Sequence, residues 1–460
     1  MQDSRPWWRE LSRYHWFVFL VAAVGWLADC MDQQLFVLTR DDAMRELLAP
    51  SITDADVLNA EVRRFGADST AVFLIGWAVG GLVFGVMGDR IGRVRTMLLT
   101  VVLYSMFTGL SIFATGFWDF AFYRFLTGLG VGGEFAVGVA LVAEVMPDRA
   151  RAYMLGLLQA TSAIGNCAAA LIYIFLGSLE HGGRLQGLEL FGLPLTTWRL
   201  AFLVGTVPAL LAFVIRRRLK EPERWQDAKA HGQKRGSYAE LFGNPLWRRH
   251  ALLGLALGFA AVVGLWGIGF FGVQLAKTVF QHDFSTAGLK GDELSGQVKM
   301  WGGWYSFFLN LGAGFSMPIF GWLAQRVSRR FAFAIAFLAA MIATAASFWW
   351  FRQVSDVFWM TPLMGFCLLG VFAVLAIYFP ELFPTRLRTT GTSFCYNVGR
   401  FVAALGPFIF GILVSEVFTK NNGFTELPQR YAGVVMCSVF VLGLAVLPFC
   451  PETKGKPLPD

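Results

Sequence analysis

Long apolar stretches separated by short polar breaks recur from one end of the chain to the other. They fall near 15–38, 69–88, 96–116, 120–146, 152–177, 198–216, 250–276, 301–324, 331–351, 357–380, 389–417 and 431–450. Each is long enough to cross about 30 Å of hydrocarbon as a helix. The pattern predicts an all-α membrane protein with twelve transmembrane helices. The opening "MQDSRPWWRELSRY" is polar, basic and aromatic, and the apolar run after it is too long for a cleavable signal, so that run reads as the first span. The segment 39–68 is long and charged and reads as an outer loop, with an amphipathic cap as an option.

Composition strengthens the membrane reading. Of 460 residues, 56% are hydrophobic and 15% charged, and the mean hydropathy is +0.54, too apolar for a soluble globular protein. The 45 Phe and 16 Trp suit lipid-facing helices and interfacial anchors. All six cysteines fall within or at the ends of spans at no metal-ligand spacing, which suggests reduced packing residues. The five histidines likewise give no metal pattern, and no cofactor is expected. The net charge of +8 lies mainly in alternate loops, ten Lys and Arg falling in 216–249 alone. That asymmetry puts both termini in the cytoplasm of a multi-pass protein of the cell (plasma or inner) membrane. The basic loops then meet anionic lipid headgroups, and no nucleic acid is expected.

The basic segment 216–249 separates six spans from six. The chain therefore divides into an N-terminal half (1–215), a cytoplasmic linker and a C-terminal half (250–460). Two marks repeat across the halves. In "GVMGDRIGRVR" and "GWLAQRVSRR", Gly85, Asp89, Arg90 and Arg93 correspond to Gly321, Gln325, Arg326 and Arg329, displaced by 236. In "EVMPDRAR" and "ELFPTRLR", Glu144, Arg149 and Arg151 correspond to Glu381, Arg386 and Arg388, displaced by 237. Two matches at nearly one displacement argue for internal duplication, a known transporter design.

The chain resembles the major facilitator superfamily over essentially its whole length, since G-x-x-x-D-R-x-G-R is that superfamily's signature between its second and third helices. "RFLTGLGVGGEF" (124–135), the E-x-x-P-x-R motifs and "TTWRLAFLVGTVPALLAFVIRRRLKEPERW" (196–225) resemble more closely the sialate:proton and aromatic-acid:proton symporter branch. In that branch the first helix carries D-G-[FY]-D. Here Asp29 and Asp32 keep the acids, while Cys30 and Met31 replace the glycine and aromatic. The resemblance implies two six-helix pseudo-symmetric halves, and a cytoplasmic gate built from Gly85, Asp89, Arg90, Gly92, Arg93, Glu144, Arg149, Arg151, Arg326, Arg329, Glu381, Arg386 and Arg388. The plainer alternative is that these charges only orient the helices. Gln325 in place of an acid should weaken the second copy. The glycines of "GLGVGG" (128–133) have no preceding strand and read as packing glycines.

The charges inside the spans carry the chemistry. A charge at the centre of a membrane helix costs about 2.5–3.5 kcal/mol on insertion scales, so each one asks for a role. Asp29 and Asp32 should lie at the same depth as Arg124 of the fourth span, and the resemblance implies that the first and fourth helices line one cavity. Two carboxylates near one guanidinium suggest a reversible proton site; a permanent ion pair is the alternative. Arg400 lies near the midplane, with Ser393, Tyr396 and Asn397 on its helix face. Gln159, Ser162 and Asn166 form a second polar stripe. An unpaired midplane Arg favours a substrate carboxylate, although Glu134 is the one acid that could pair with it instead. The reading is a proton-coupled symporter of a small organic anion, acting as a monomer with the proton and lipid bilayer as partners. The alternatives are a facilitator of a neutral solute such as a sugar, and a non-transporting membrane sensor. No catalytic constellation is present.

Overall fold

The structure, a computed structural model, describes residues 6–190, 192–210, 215, 217–231, 235–419 and 422–459. The main helices are α1 (Arg13–Leu48), α2 (Ala55–Ile91), α3 (Arg93–Leu110), α4 (Phe117–Val145), α5 (Asp148–His181) and α6 (Thr197–Val204) in the first half. In the second half they are α7 (Pro245–Thr286), α8 (Gly291–Arg326), α9 (Arg329–Trp350), α10 (Met360–Leu382), α11 (Arg388–Ala403) and α12 (Pro428–Phe449). Among the described residues, ten helices are long and apolar enough to cross a membrane. The exceptions are α6 and α11. Residues 211–214 and 216 of the expected sixth span lie outside the described residues, as do 232–234 of the linker. The expected span 389–417 breaks at Ala404–Leu405 and resumes as the short helix Gly406–Ile412 and a π-helical turn, Leu413–Val417.

The segment 39–68 is a correction. It is not an outer loop: α1 runs on to Leu48, a 3-10 turn spans Ala49–Ser51, and α2 starts at Ala55, capped by the Asp54 carboxylate on the amides of Asp56 and Val57. At about 1.5 Å per residue, helices as long as α1 and α2 outreach the hydrocarbon core. Their polar ends continue as helix where water can solvate the side chains.

Small residues set the packing. In the first half, Gly76 and Gly80 of α2 lie against the backbone of Phe125 and Leu129 of α4, while Gly128 and Gly132 of α4 lie against Phe73 and Trp77 of α2. Both helices thus present glycines four apart, the spacing that lets membrane helices approach closely. The second half repeats the contact. Gly312 of α8 meets the Pro362 backbone and Gly365 of α10 meets Leu309, at the displacements of 236 and 237 that relate the charged motifs. The halves join along two seams. Gly81, Gly85 and Gly88 of α2 receive Asn397, Ser393 and Thr389 of α11, and Gly156 of α5 faces Gly321 of α8.

Candidate functional site

Asp29 and Asp32 are both buried, but they face different partners. The Asp32 carboxylate lies 3.9 Å from the Arg124 guanidinium. Arg124 also donates to Ser111 Oγ at 2.6 Å and stacks over the Phe202 ring at 4.4 Å. The expected contact of Arg124 with both acids is corrected: Asp29 turns to Glu134 of α4. The reason is helical geometry, since positions three apart differ by about 60° around the axis. Glu134 occupies space above Gly25, where a β-carbon would lie 2.5 Å from its Oε1. Apart from Asp29 and Glu134 themselves, no described residue offers a donor to a carboxyl oxygen of either.

Arg400 is also buried, and among the described residues it makes no ion pair, so the alternative pairing with Glu134 is not formed. Its Nη1 donates to the Tyr396 carbonyl at 2.6 Å and to Asn397 Oδ1 at 2.9 Å. The guanidinium lies 4.0 Å over the Trp77 ring, and Trp266 of α7 meets Trp77 edge-on at 5.8 Å. Its Nε has no acceptor. Tyr396 packs edge-on against Phe135 at 5.0 Å, and Asn397 donates to Ser393 at 2.9 Å. Ser393 in turn donates to the Gly81 carbonyl across the seam.

The polar stripe on α5 is partly committed elsewhere. Asn166 donates to Asn310 Oδ1 of α8 at 2.8 Å, and Ser162 approaches the Met317 sulfur of α8 at 3.8 Å. These two residues bond across the α5–α8 seam. Gln159 is buried with its Oε1 unpartnered.

The sequence pattern alone does not single out Trp77 and Trp266. The available signal was position: tryptophans belong at membrane interfaces, and these fall well inside their apolar runs.

A second constellation gathers at the end of the bundle that carries both termini and most of the basic loops, here the basic end. Glu144 accepts from Arg93 Nε at 3.1 Å, Arg93 Nη2 at 2.8 Å and Arg388 Nη1 at 2.8 Å, joining the halves. Asp89 accepts from the Thr389 amide at 3.2 Å, the Thr390 amide at 2.8 Å and the Thr390 hydroxyl at 2.6 Å. A carboxylate thus faces the first turn of α11, where free amides and the helix dipole favour an anion. In the second copy, Glu381 accepts from Arg329 at 2.8 Å and from Thr453 at 2.6 Å.

The remaining predicted gate residues scatter. Arg90 donates to the Gly236 carbonyl of the linker at 3.0 Å, and Arg386 pairs with Glu240 at 2.8 Å. Arg149 pairs with Glu10 at 3.0 Å, Arg151 with its neighbour Asp148, and Arg326 lies over Trp322 at 5.8 Å. Gly92 adopts φ +120°, a conformation suited to glycine, as the chain turns from α2 into α3.

The sequence profile of the Major Facilitator Superfamily matches residues 42–407. A "Probable 4-methylmuconolactone transporter" of Cupriavidus pinatubonensis is 29% identical, over 98% of this chain and 93% of its own length. The cis,cis-muconate transport protein of Acinetobacter baylyi is 27% identical, over 84% of each chain. Among solved structures, the proton:xylose symporter XylE bound to 6-bromo-6-deoxy-D-glucose superposes with a TM-score of 0.73, covering 97% of this chain and 98% of that one. At 17% identity that likeness is one of fold.

Proposed function

This chain belongs to the Major Facilitator Superfamily, and we propose that it is a proton-coupled symporter of a small carboxylate, working by alternating access between its two halves. One observation carries the reading. Near the middle of the bundle a buried guanidinium, Arg400, lacks an acid, while a buried acid pair, Asp29 and Glu134, lacks a cation. A substrate carboxylate satisfies the first, and a proton shared by the pair satisfies the second. Two buried carboxylates side by side repel strongly in a medium of low dielectric, so one proton resides there in the resting state of the cycle. Asp32 and Arg124 form a neighbouring ion pair that responds when that proton leaves. A monoanion carried with one proton moves no net charge. The names of the two relatives, which carry muconate and a methylmuconolactone, support a small unsaturated acid.

In this reading the halves 1–215 and 250–460 move as bodies, and the basic end faces the cytoplasm of the plasma or inner membrane. The Asp89–Glu144 network is then the inner gate, closed here. The monomer is the working unit.

The test is binding of a carboxylate and of its amide to the purified protein, with Arg400→Ala beside the parent. Loss of a charge-assisted contact of about 1.5–3 kcal/mol lowers affinity for the carboxylate roughly ten- to a hundredfold. The amide should lose little. Equal losses for both ligands overturn the anion site. In vesicles, Glu134→Gln should abolish accumulation driven by a proton gradient while exchange of loaded carriers continues.

A further inference from the structure

The helical extensions beyond the predicted spans bring charges of opposite sign together at the end away from the basic loops. Lys299 of α8, in the second half, lies 2.6 Å from Asp42 Oδ1 of α1, in the first. Tyr173 of α5 donates to the other Asp42 oxygen at 3.2 Å. One residue back, Asp41 pairs with Arg40 of its own helix at 3.3 Å, and the charges of Lys277 of α7 and Lys299 act on it through space. One direct ion pair, Asp42 with Lys299, therefore crosses between the halves here. Deeper in the bundle the same seam continues with Gln34 donating to Ser306 at 3.1 Å and Asn166 to Asn310 at 2.8 Å.

We propose that Asp42, Tyr173 and Lys299 form the outer gate of this transporter, the counterpart of the network at the basic end. Tyr173 positions the Asp42 carboxylate within its own half, and Lys299 closes the contact from the other half. The ladder below it, Gln34–Ser306 and Asn166–Asn310, is neutral and parts once the ion pair has opened.

The environment suits a gate that opens readily. The Lys299 side chain is 49% exposed and Asp42 18%, whereas Arg93, Asp89 and Glu144 are fully buried. A cavity of about 390 Å³ lined by Asp42, Tyr173, Thr197, Glu293 and Lys299 opens beside the pair. Water and salt reach it and weaken the attraction. The outer contact therefore holds the halves together loosely, and the inner one tightly. Opening toward the outside becomes the easier excursion when no substrate is bound.

This proposal rests on alternating access, with the basic end inward, and is independent of substrate identity or the proton. Ser306→Cys supplies a small reporter behind the gate, buried in the closed state. Its labelling by a membrane-impermeant maleimide is compared in right-side-out and inside-out vesicles without substrate. Asp42→Asn and Lys299→Gln should each raise the labelling rate about two- to fivefold, the range of a half-exposed ion pair. Tyr173→Phe should raise it less. The charge-reversed double variant, Asp42→Lys with Lys299→Asp, should return toward the parent rate. Melting temperatures confirm that the variants remain folded. A gain seen only in inside-out vesicles overturns the outer assignment, because the pair would then close the inner face. Unchanged labelling from both faces, or a double variant as fast as the singles, overturns the gate. A second arm cross-links cysteines at 42 and 299: uptake should fall to background and recover when the link is cleaved, and persistent uptake also overturns it.

Discussion

In the N-terminal copy of the basic-end motif, Glu144 takes Arg93 from its own half and Arg388 from the other. In the C-terminal copy, Glu381 takes Arg329 and Thr453, both from its own half. Arg151 occupies the position equivalent to Arg388, yet its hydrogen bonds go to the Ala143 carbonyl and Asp148, and it acts on Glu381 through space alone. Asp89 reaches across to α11, while Gln325 only accepts from Arg329 at 3.1 Å. Each half thus keeps an arginine–glutamate pair, and the hydrogen-bonded bridge between halves belongs to one copy. The C-terminal copy is closed instead by the segment 451–454: Tyr378 donates to the Pro451 carbonyl at 2.7 Å, and Lys454 to the Arg326 carbonyl at 2.8 Å. One copy has become a latch between halves, and the other a clasp within one half.

The largest expected contrast is in stability. Glu144→Gln leaves Arg388 without its acid and Arg93 with Asp89 alone, 3.1 Å away, the two arginines buried beside each other. Breaking such a buried pair from one side costs about 3–5 kcal/mol. Glu381→Gln strands a single arginine beside a cavity of about 140 Å³ that Glu381 itself lines. Water can enter there, so the loss should be roughly 1–3 kcal/mol. Thermal unfolding in detergent ranks the two variants. Removing the second positive charge as well, by Arg388→Met with Glu144→Gln, should recover part of the loss. Equal effects at 144 and 381 would mean that both copies bear the same load.

The next contrast concerns conformation. Asp89→Asn weakens three bonds across the seam at the start of α11, two of them from amides that favour an anion. A bias of about 1.5–3 kcal/mol moves a two-state equilibrium ten- to a hundredfold. Labelling of a cysteine at position 393 from the basic end should rise accordingly. Gln325→Ala should leave it unchanged, because its bond stays within one half. Equal accessibility in parent and Asp89→Asn would reduce the motif to an orientation signal.

How far the sequence revealed these features depends on how many dimensions each required. The repeated arginines and glutamates are legible because they recur at a fixed displacement, but their pairing with one another is not, since the two motifs lie about fifty residues apart. Nor is the fate of Arg151, since a motif records residue types and not which neighbour wins a side chain. Depth along a helix can be counted, and Asp32 lies 3.9 Å from Arg124. Azimuth is harder to read, and Asp29 turned to Glu134 because neighbouring helices decide which face is shared. The segment 39–68 failed for another reason: polar composition resembles a loop, yet outside the hydrocarbon a helix has no need to be apolar. Composition makes every tryptophan look like an interfacial anchor, and only their position inside the apolar runs sets Trp77 and Trp266 apart.

The smallest contrast lies in how each copy caps the helix after its motif. In the first half Gly92 offers no side chain, and Glu221 of the linker accepts from the Val94 amide at 3.1 Å and the Arg95 amide at 3.2 Å. In the second half Ser328 accepts from the Phe331 amide at 3.0 Å, and Glu452 from the Arg329 amide at 3.1 Å. The two carboxyls shift in opposite directions. Burial pushes Glu221 above the ordinary carboxylate range, against the pull of its amide bonds. Burial also pushes Glu452 upward, but bonds from the Lys454, Arg329 and Arg330 amides outweigh it and hold Glu452 below that range. A depressed carboxyl contributes stability above its unfolded value and loses it as the pH falls through the folded one. A raised carboxyl does the reverse: its ionised form costs stability above the folded value, and the cost fades on acidification. Glu452→Gln should therefore lower stability at pH 7 by about 0.5–1 kcal/mol, a cap discounted for solvent screening, and the deficit should vanish in acid. Glu221→Gln should be neutral or slightly stabilising at pH 7 and lose that advantage as the pH falls. Melting temperatures of both variants and the parent at neutral and acid pH decide the matter. Equal losses at pH 7, with the same pH dependence, would mean that the two caps are electrostatically alike and that the copies differ only in what they bridge.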